Sequence, residues 1–393
     1  MVFFRIILFI ALLPSLSGYA QPQSPSVNQL LNRIMFGELD HFYSRLDFIE
    51  KFKQGKAVIV QIGDSHTQPD FISSVVREEL QKQFGNGGRG LLFPYTLAGS
   101  NSPTDIKSKS STKWKFNRVA HPELGTNSGV AGFIIYTEDS SGSFSISLDN
   151  KLSNDSSFIR LFWDKSMQTS HEIIINNDSV HPIRENTWIT YPEAFKKINI
   201  DFANNDSVLA FYGLSVENNM SGLIYHNIGV NGARYDQYNI SPGFWKGLSS
   251  LNADLFIVSL GTNEAQKDSF NLSAFQYELG LFVNKLREAS PTASVLITTA
   301  MDSYKKQRPN QTLKQINDAI ADYCLRETVA LWDLYKITNG LGSARQWLRL
   351  GLMNKDKIHF LKGGYQLHGE LLYKALIDGY YRYKQENIKT GDK

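Results

Sequence analysis

An α/β fold with a parallel sheet, carrying an inserted all-β, sandwich-like domain, is what the sequence predicts, on three observations. Apolar, β-branched runs alternate with amphipathic helical stretches near both ends of the chain. Two of those runs, Ala57–Ile62 and Asp254–Leu260, end in short polar turns, Gly63-Asp64-Ser65-His66 and Gly261-Thr262-Asn263-Glu264. Between them, from about Ser100 to Glu217, the chain turns rich in Ser, Asn, Asp and Gly, with short alternating apolar runs. The first pattern suits strands buried on both faces beneath covering helices, and the last suits half-buried antiparallel strands.

Taken in order, the spacing of Leu30, Ile34, Phe42, Leu46 and Ile49 predicts a helix from Val27 to about Phe52. The strand Ala57–Ile62 follows, and Pro69 then opens a helix with Phe71, Ile72, Val75, Val76 and Leu80 on its apolar face. In the middle segment, Phe144–Leu148, Phe158–Trp163 and Glu172–Ile175 read as strands. The last third gives a strand at Asp254–Leu260, a helix from about Phe270 to Arg287, and a strand at Ser294–Thr299. A helix at Leu313–Cys324, a strand at Val329–Trp332 and a final helix at Gly364–Tyr381 complete it. The expected organisation is a host domain in two pieces, 21–99 and 218–393, interrupted by a β domain at 100–217.

The chain has 393 residues, of which 42% are hydrophobic, enough for a large core, so general disorder is excluded. A net charge of +3 with no dense basic block argues against nucleic acid as a partner. The single cysteine, Cys324, cannot form an internal disulfide and reads as a buried apolar residue. The first 20 residues have the anatomy of a signal peptide: Arg5, an apolar run from Ile6 to Pro14, and small residues Gly18 and Ala20 at the cleavage positions. Export to the periplasm or the exterior is therefore expected, with no stable membrane insertion once the leader is removed.

The polar turns carry the chemistry. A serine hydroxyl becomes a useful nucleophile only when a base takes its proton, and the base works best when a carboxylate fixes its tautomer. Ser65 is expected at the carboxyl end of the first strand, where open α/β sheets place their sites. Asp356 and His359 stand three residues apart just before the last helix, a spacing that lets the carboxylate hold one ring nitrogen while the other faces a serine. Each piece alone is common, as an N-cap or a surface turn. No His-Glu-x-x-His occurs, and His41, His121, His171, His181, His226 and His368 show no metal-ligand spacing, so no metal or other cofactor is implied.

Four blocks in this order resemble those of the SGNH hydrolases, also called the GDSL esterases and lipases. They are Gly63-Asp64-Ser65-His66, Asn227-Ile228-Gly229-Val230-Asn231-Gly232-Ala233, Gly261-Thr262-Asn263-Glu264 and Asp356-Lys357-Ile358-His359. The resemblance implies a three-layer SGNH-like sheet with Ser65 as nucleophile, His359 as general base and acid, and Asp356 as its orienting partner. It also implies an oxyanion hole from the N–H groups of Ser65 and Gly232 and the Asn263 amide. Two positions depart from the family pattern: His66 stands where Leu is usual, and Glu264 where Asp is usual.

His66, the run Phe84-Gly85-Asn86-Gly87-Gly88-Arg89-Gly90-Leu91 and the β insertion further resemble the bacterial peptidoglycan O-acetylesterases. That implies a secreted serine esterase acting on an acetylated polysaccharide. Arg89 is then a candidate to meet a substrate carboxylate such as the lactyl group of muramic acid, with a structural role as its alternative, and the glycine run otherwise reads as a flexible loop. In the insertion, Trp114 and Trp188 are candidates for a sugar-binding face, whereas Trp163, in an apolar run, is expected in the core. The alternatives in function are an acetylesterase for xylan or another glycan, an O-acyltransferase using the same triad, and a non-catalytic carbohydrate-binding protein.

Overall fold

In the computed structural model, residues 25–391 are described, apart from 122–127, 140, 149–156, 163–171, 177, 181–185, 192–196 and 204–208. The leader expected at residues 1–20, together with Trp163, His171 and His181, lies outside the described residues.

A ten-stranded mixed sheet forms the frame. Its strand order is Ile34–Met35, Ala330–Trp332, Ser294–Thr298, Leu255–Ser259, Lys56–Gly63, Gly222–Gly229, Asn86–Leu92, Gly213–Asn218, Ser157–Phe162 and Asn186–Tyr191. The pairings from Ala330–Trp332 across to Asn86–Leu92 are all parallel, and those outside that stretch are antiparallel. The register is continuous through the centre, with Gly229 opposite Gly63 and Ser259 beside Gly63.

Period-two alternation on strands buried on both faces divides the core in two. Val58, Val60, Ile62, Ile228, Phe256 and Val258 pack beneath the helices Leu272–Ala289 and Gln311–Glu327. Ala57, Ile59, Leu223, Tyr225, Leu255 and Ile257 face the helices Asp40–Phe52, Phe71–Phe84 and Lys362–Gly391. The result is the expected three-layer arrangement.

Three local readings differ from expectation. The first helix spans only Asp40–Phe52, because the preceding apolar residues instead supply a 3₁₀ turn at Gln29–Leu31 and the edge strand Ile34–Met35. The glycine run forms a buried strand, Asn86–Leu92, rather than a loop. Its glycines permit close approach: a Cβ on Gly88 would stand 2.5 Å from Glu217 Cα, and one on Gly90 would stand 2.5 Å from the Tyr225 carbonyl oxygen. Both also have positive φ, +137° and +82°. The segment 100–217 forms a five-stranded and a three-stranded antiparallel sheet, but it also gives Ser157–Phe162, Asn186–Tyr191 and Gly213–Asn218 to the central sheet. It is thus joined to the α/β frame by continuous hydrogen bonding.

Candidate active site

Three turns meet beyond the carboxyl ends of neighbouring parallel strands. Ser65 follows Lys56–Gly63, the Asn231–Ala233 turn follows Gly222–Gly229, and the short helix Thr262–Gln266 follows Leu255–Ser259. Polar side chains lock them together. Gln68 Oε1 accepts the Asn231 N–H at 2.8 Å, and Asn227 Nδ2 donates to the Thr67 carbonyl at 3.0 Å. Gln68 Nε2 also donates to Ser100 Oγ and the Asn101 carbonyl, at 2.8 and 2.6 Å, which anchors the start of the inserted segment to the same turn.

The loop before the last helix completes the site. Ser65 Oγ lies 2.9 Å from His359 Nε2, and His359 Nδ1 lies 2.9 Å from Asp356 Oδ2. The other Asp356 oxygen accepts the N–H groups of Ile358 and His359 at 2.8 and 3.0 Å, so the carboxylate shapes the turn that carries the histidine. Partial burial pushes the Asp356 pKa up, but the hydrogen bonds from His359 and from those two N–H groups outweigh it and hold the group below the usual carboxylate range. An ionised Asp356 accepts a hydrogen bond from the Nδ1–H of His359 and leaves the Nε2 lone pair facing the Ser65 hydroxyl.

Asp64 is buried beneath the serine. Its Oδ1 accepts the His66 N–H at 2.9 Å, and its Oδ2 accepts Asn263 Nδ2 at 3.2 Å. Asn263 Nδ2 also donates to the Ala233 carbonyl at 3.0 Å, which ties the third turn to the second. Burial pushes the Asp64 carboxyl up to about 7 against the pull of the His66 N–H and the neighbouring His359. Glu264, one residue after Asn263, accepts the Tyr235 N–H at 2.8 Å and is also driven up to about 7, chiefly by burial, with Asp64 nearby adding to the shift. Among the described residues, the N–H groups of Ser65 and Gly232 have no hydrogen-bond partner. Two free backbone donors beside Ser65 form an arrangement able to receive negative charge, whereas the Asn263 amide expected with them has both of its N–H groups engaged, on Asp64 and on the Ala233 carbonyl.

His66 meets the catalytic loop directly. Its ring stacks on His359, with centroids 5.2 Å apart and an interplanar angle of 28°, and its Nδ1 lies 3.0 Å from Tyr365 Oη. Burial pushes its pKa down to about 3, with His359 and His368 adding to the shift, so the ring stays neutral. Its hydrogen-bond partner, Tyr365, stands in the first turn of the last helix.

The tentative substrate residues are placed differently. Arg89 does not face a substrate: it is 3% exposed, with Nη2 2.6 Å from Asp70 Oδ2 and Nε 2.6 Å from Asp105 Oδ2. Arg77 closes the network, 2.7 Å from Asp70. Fixed between two carboxylates, Arg89 is a structural arginine that fastens Asp105 of the inserted segment to the helix after the nucleophile turn. Trp114 is 9% exposed; its ring packs edge-on against Phe144 and Phe202, and its Nε1 donates to Ser110 Oγ at 3.0 Å. That is core packing with the indole donor satisfied, not a binding face. Trp188 falls on the strand Asn186–Tyr191, and its side chain lies outside the described residues.

Sequence reasoning gave no role to Asp64, Tyr365 or His121. Asp64 was visible inside the first block, and Tyr365 stands only six residues beyond His359, but nothing in the pattern marks either as a contact.

Residues 201–367 match the model of the GDSL-like Lipase/Acylhydrolase family. With the parallel sheet and the serine–histidine–aspartate alignment, this similarity supports a carboxylic ester hydrolase. Among solved structures the chain is similar to a peptidoglycan O-acetylesterase, with a TM-score of 0.76 and 21% identity over 89% of this chain and 99% of that one. At that identity the likeness is one of fold, and its coverage takes in inserted strands as well as the α/β host. Lower similarity extends to a lipase/acylhydrolase from Enterococcus faecalis, at 18% identity and a TM-score of 0.31 over 39% of this chain and 75% of that one. It extends also to a family two carbohydrate esterase with its carbohydrate binding domain from Corynascus thermopiles, at 12% identity and a TM-score of 0.31 over 67% of this chain and 99% of that one. No curated protein matches the chain in sequence.

Proposed function

We propose that this protein is an exported serine esterase that removes O-acetyl groups from a polysaccharide, with O-acetylated peptidoglycan as its substrate. The observation that carries the reading is the unbroken line from Ser65 Oγ through His359 to Asp356, two contacts of 2.9 Å each. The likeness in fold to a peptidoglycan O-acetylesterase supports the substrate, and the apolar leader at residues 1–20 supports export.

In this reading His359 Nε2 takes the Ser65 hydroxyl proton as Oγ bonds to the acetyl carbonyl carbon. The charge on the carbonyl oxygen is met by the N–H groups of Ser65 and Gly232, and by Asn263 Nδ2 once the N–H it gives to Asp64 at 3.2 Å turns to the oxyanion. His359 then returns the proton to the sugar oxygen as the carbon–oxygen bond to the sugar breaks, leaving an acetyl group on Ser65. Water repeats the cycle: His359 takes its proton, hydroxide adds to the acetyl carbon, and Ser65 leaves with the proton as acetate departs. The His359 side chain is 39% exposed, which gives water ready access to the acyl-enzyme and favours hydrolysis over transfer to a second sugar.

The test is mature protein incubated with acetylated peptidoglycan and with acetylated xylan side by side, measuring free acetate and acetylated acceptor. Acetate release faster from peptidoglycan is the expected result. Preference for xylan moves the assignment to another glycan esterase, and acetylated acceptor without free acetate moves it to a transferase.

A further inference from the structure

We infer that His121 is a subsite residue for the sugar side of the ester, presented by the inserted segment at the rim of the oxyanion hole. The inference rests on the function proposed above and names the residue through which that segment reaches the substrate.

The backbone leading to His121 is firmly held. Val119 and Ala120 are each 1% exposed; the Val119 N–H donates to the Gly132 carbonyl at 3.0 Å, and the Ala120 carbonyl accepts Gln237 Nε2 at 2.5 Å. The His121 N–H turns back to the Arg118 carbonyl at 3.1 Å. The His121 side chain, by contrast, is exposed and has no partner among the described residues.

Its ring stands beside the turn that supplies an oxyanion donor. Gly232 has φ +83°, and a Cβ built there would touch only Ala120 Cβ at 3.8 Å and His121 Nε2 at 3.9 Å. The imidazole tip therefore lies beside Gly232, the residue with a free N–H, across a space that the missing side chain leaves open. An exposed group on this rim meets the part of the substrate that stays outside the hole when the acetyl carbonyl enters it, which is the glycan. Imidazole suits that part, because one nitrogen donates and the other accepts in either tautomer, and the flat ring can lie against a sugar face. The insertion thus contacts substrate through a histidine at the end of a buried strand connection, while its tryptophan Trp114 packs inside.

The experiment compares wild type, His121→Ala and His121→Gln on acetylated peptidoglycan and on nitrophenyl acetate, with melting temperature measured for each. The ratio of kcat/KM on the polymer to kcat/KM on the small ester should fall about 10-fold in His121→Ala, mainly through KM, as expected for one lost hydrogen bond. His121→Gln should recover part of that ratio, and the melting temperatures should agree. Loss by the same factor on both substrates would make His121 a part of the oxyanion machinery and overturn the inference. So would an unchanged ratio in a wild type that is active on the polymer. A wild type that cleaves nitrophenyl acetate but no acetylated glycan sinks the proposed substrate instead, and the inference with it.

Discussion

The two halves of the candidate active site are built in opposite ways. The serine half stands on the central sheet: Asp64 is 1% exposed, and Gln68, Asn227 and Asn263 bind its turn to two neighbouring strand ends. The histidine half is a surface turn, with the side chains of His359 and Asp356 39% and 43% exposed. Its shape comes from the N–H groups of Ile358 and His359 on Asp356 and from the Tyr304 N–H on the Lys357 carbonyl, and it meets the serine half through the His66 ring. The difference teaches that the proposed nucleophile and oxyanion donors are placed by the fold, whereas the proposed base is placed by a local turn and a stacking partner. Substitutions in the serine half should therefore affect both chemistry and folding, and those in the histidine half chiefly chemistry.

The largest effect tests both halves at once. Ser65→Ala and His359→Ala should each lower kcat by roughly 10⁴-fold or more, and the double variant should lose little beyond either single one, because the two act as a unit. Additive losses would mean that the halves work independently, and the comparison would fail.

Asn263→Ala comes next. Steady-state kinetics should show kcat lower by about 10²–10³-fold with KM nearly unchanged, since a donor to the oxyanion strengthens only in the transition state. The same change removes a hydrogen bond from buried Asp64, so thermal denaturation should also show a lower melting temperature. A rise in KM at constant kcat would show that Asn263 binds ground-state substrate instead.

A smaller effect is expected at the join. His66→Leu removes the stack on His359 and the bond to Tyr365 and should lower kcat about 10-fold, short of the roughly 10²-fold that a misplacement of about 1 Å can cost. Tyr365→Phe, which removes only the hydroxyl, should lower it less, and combining the two should add little to His66→Leu alone. Full turnover in His66→Leu would show that the Asp356 turn positions His359 unaided.

How much of this was legible beforehand follows the same division. The serine half was readable because two of its strands are continuous apolar runs that end in short motifs, so Ser65 and Asn263 could be assigned to strand ends, whereas Gly232 came from the family resemblance alone. The Asp356–His359 pair was readable because its spacing is local. Contacts between distant elements were not. Arg89 looked like a ligand for an anion because its partners, Asp70 and Asp105, are 19 and 16 residues away in sequence. The strand Asn86–Leu92 was hidden by its glycines, whose low strand propensity conceals that only they permit the close approach of Glu217 and Tyr225. Trp114 looked like a surface ring between two lysines until Ser110 and the phenylalanines around it were in place.

The smallest effect concerns stability. Glu264 has a folded pKa of about 7 against roughly 4.3 for an unfolded glutamate, so between those values the folded chain holds a proton that the unfolded chain has lost. Stability from this group is present below about pH 4 and is lost as pH rises through about 7. Glu264→Gln cannot lose that proton, so its melting temperature should exceed that of wild type by a few degrees, roughly, at pH 8 and converge with it near pH 4. The opposite trend would place the carboxylate in an ionised, stabilised state within the serine half.

The account stands or falls on an acetyl group carried by Ser65. Rapid quenching of the protein with an acetyl ester in acid, followed by mass measurement of the digested chain, should find one added acetyl on the peptide that contains Ser65. The modification should be absent in Ser65→Ala and should accumulate when His359 is replaced and a reactive ester supplies the acyl group. Acetate release at the wild-type rate by Ser65→Ala, or an acetyl group found on a different residue, would contradict it.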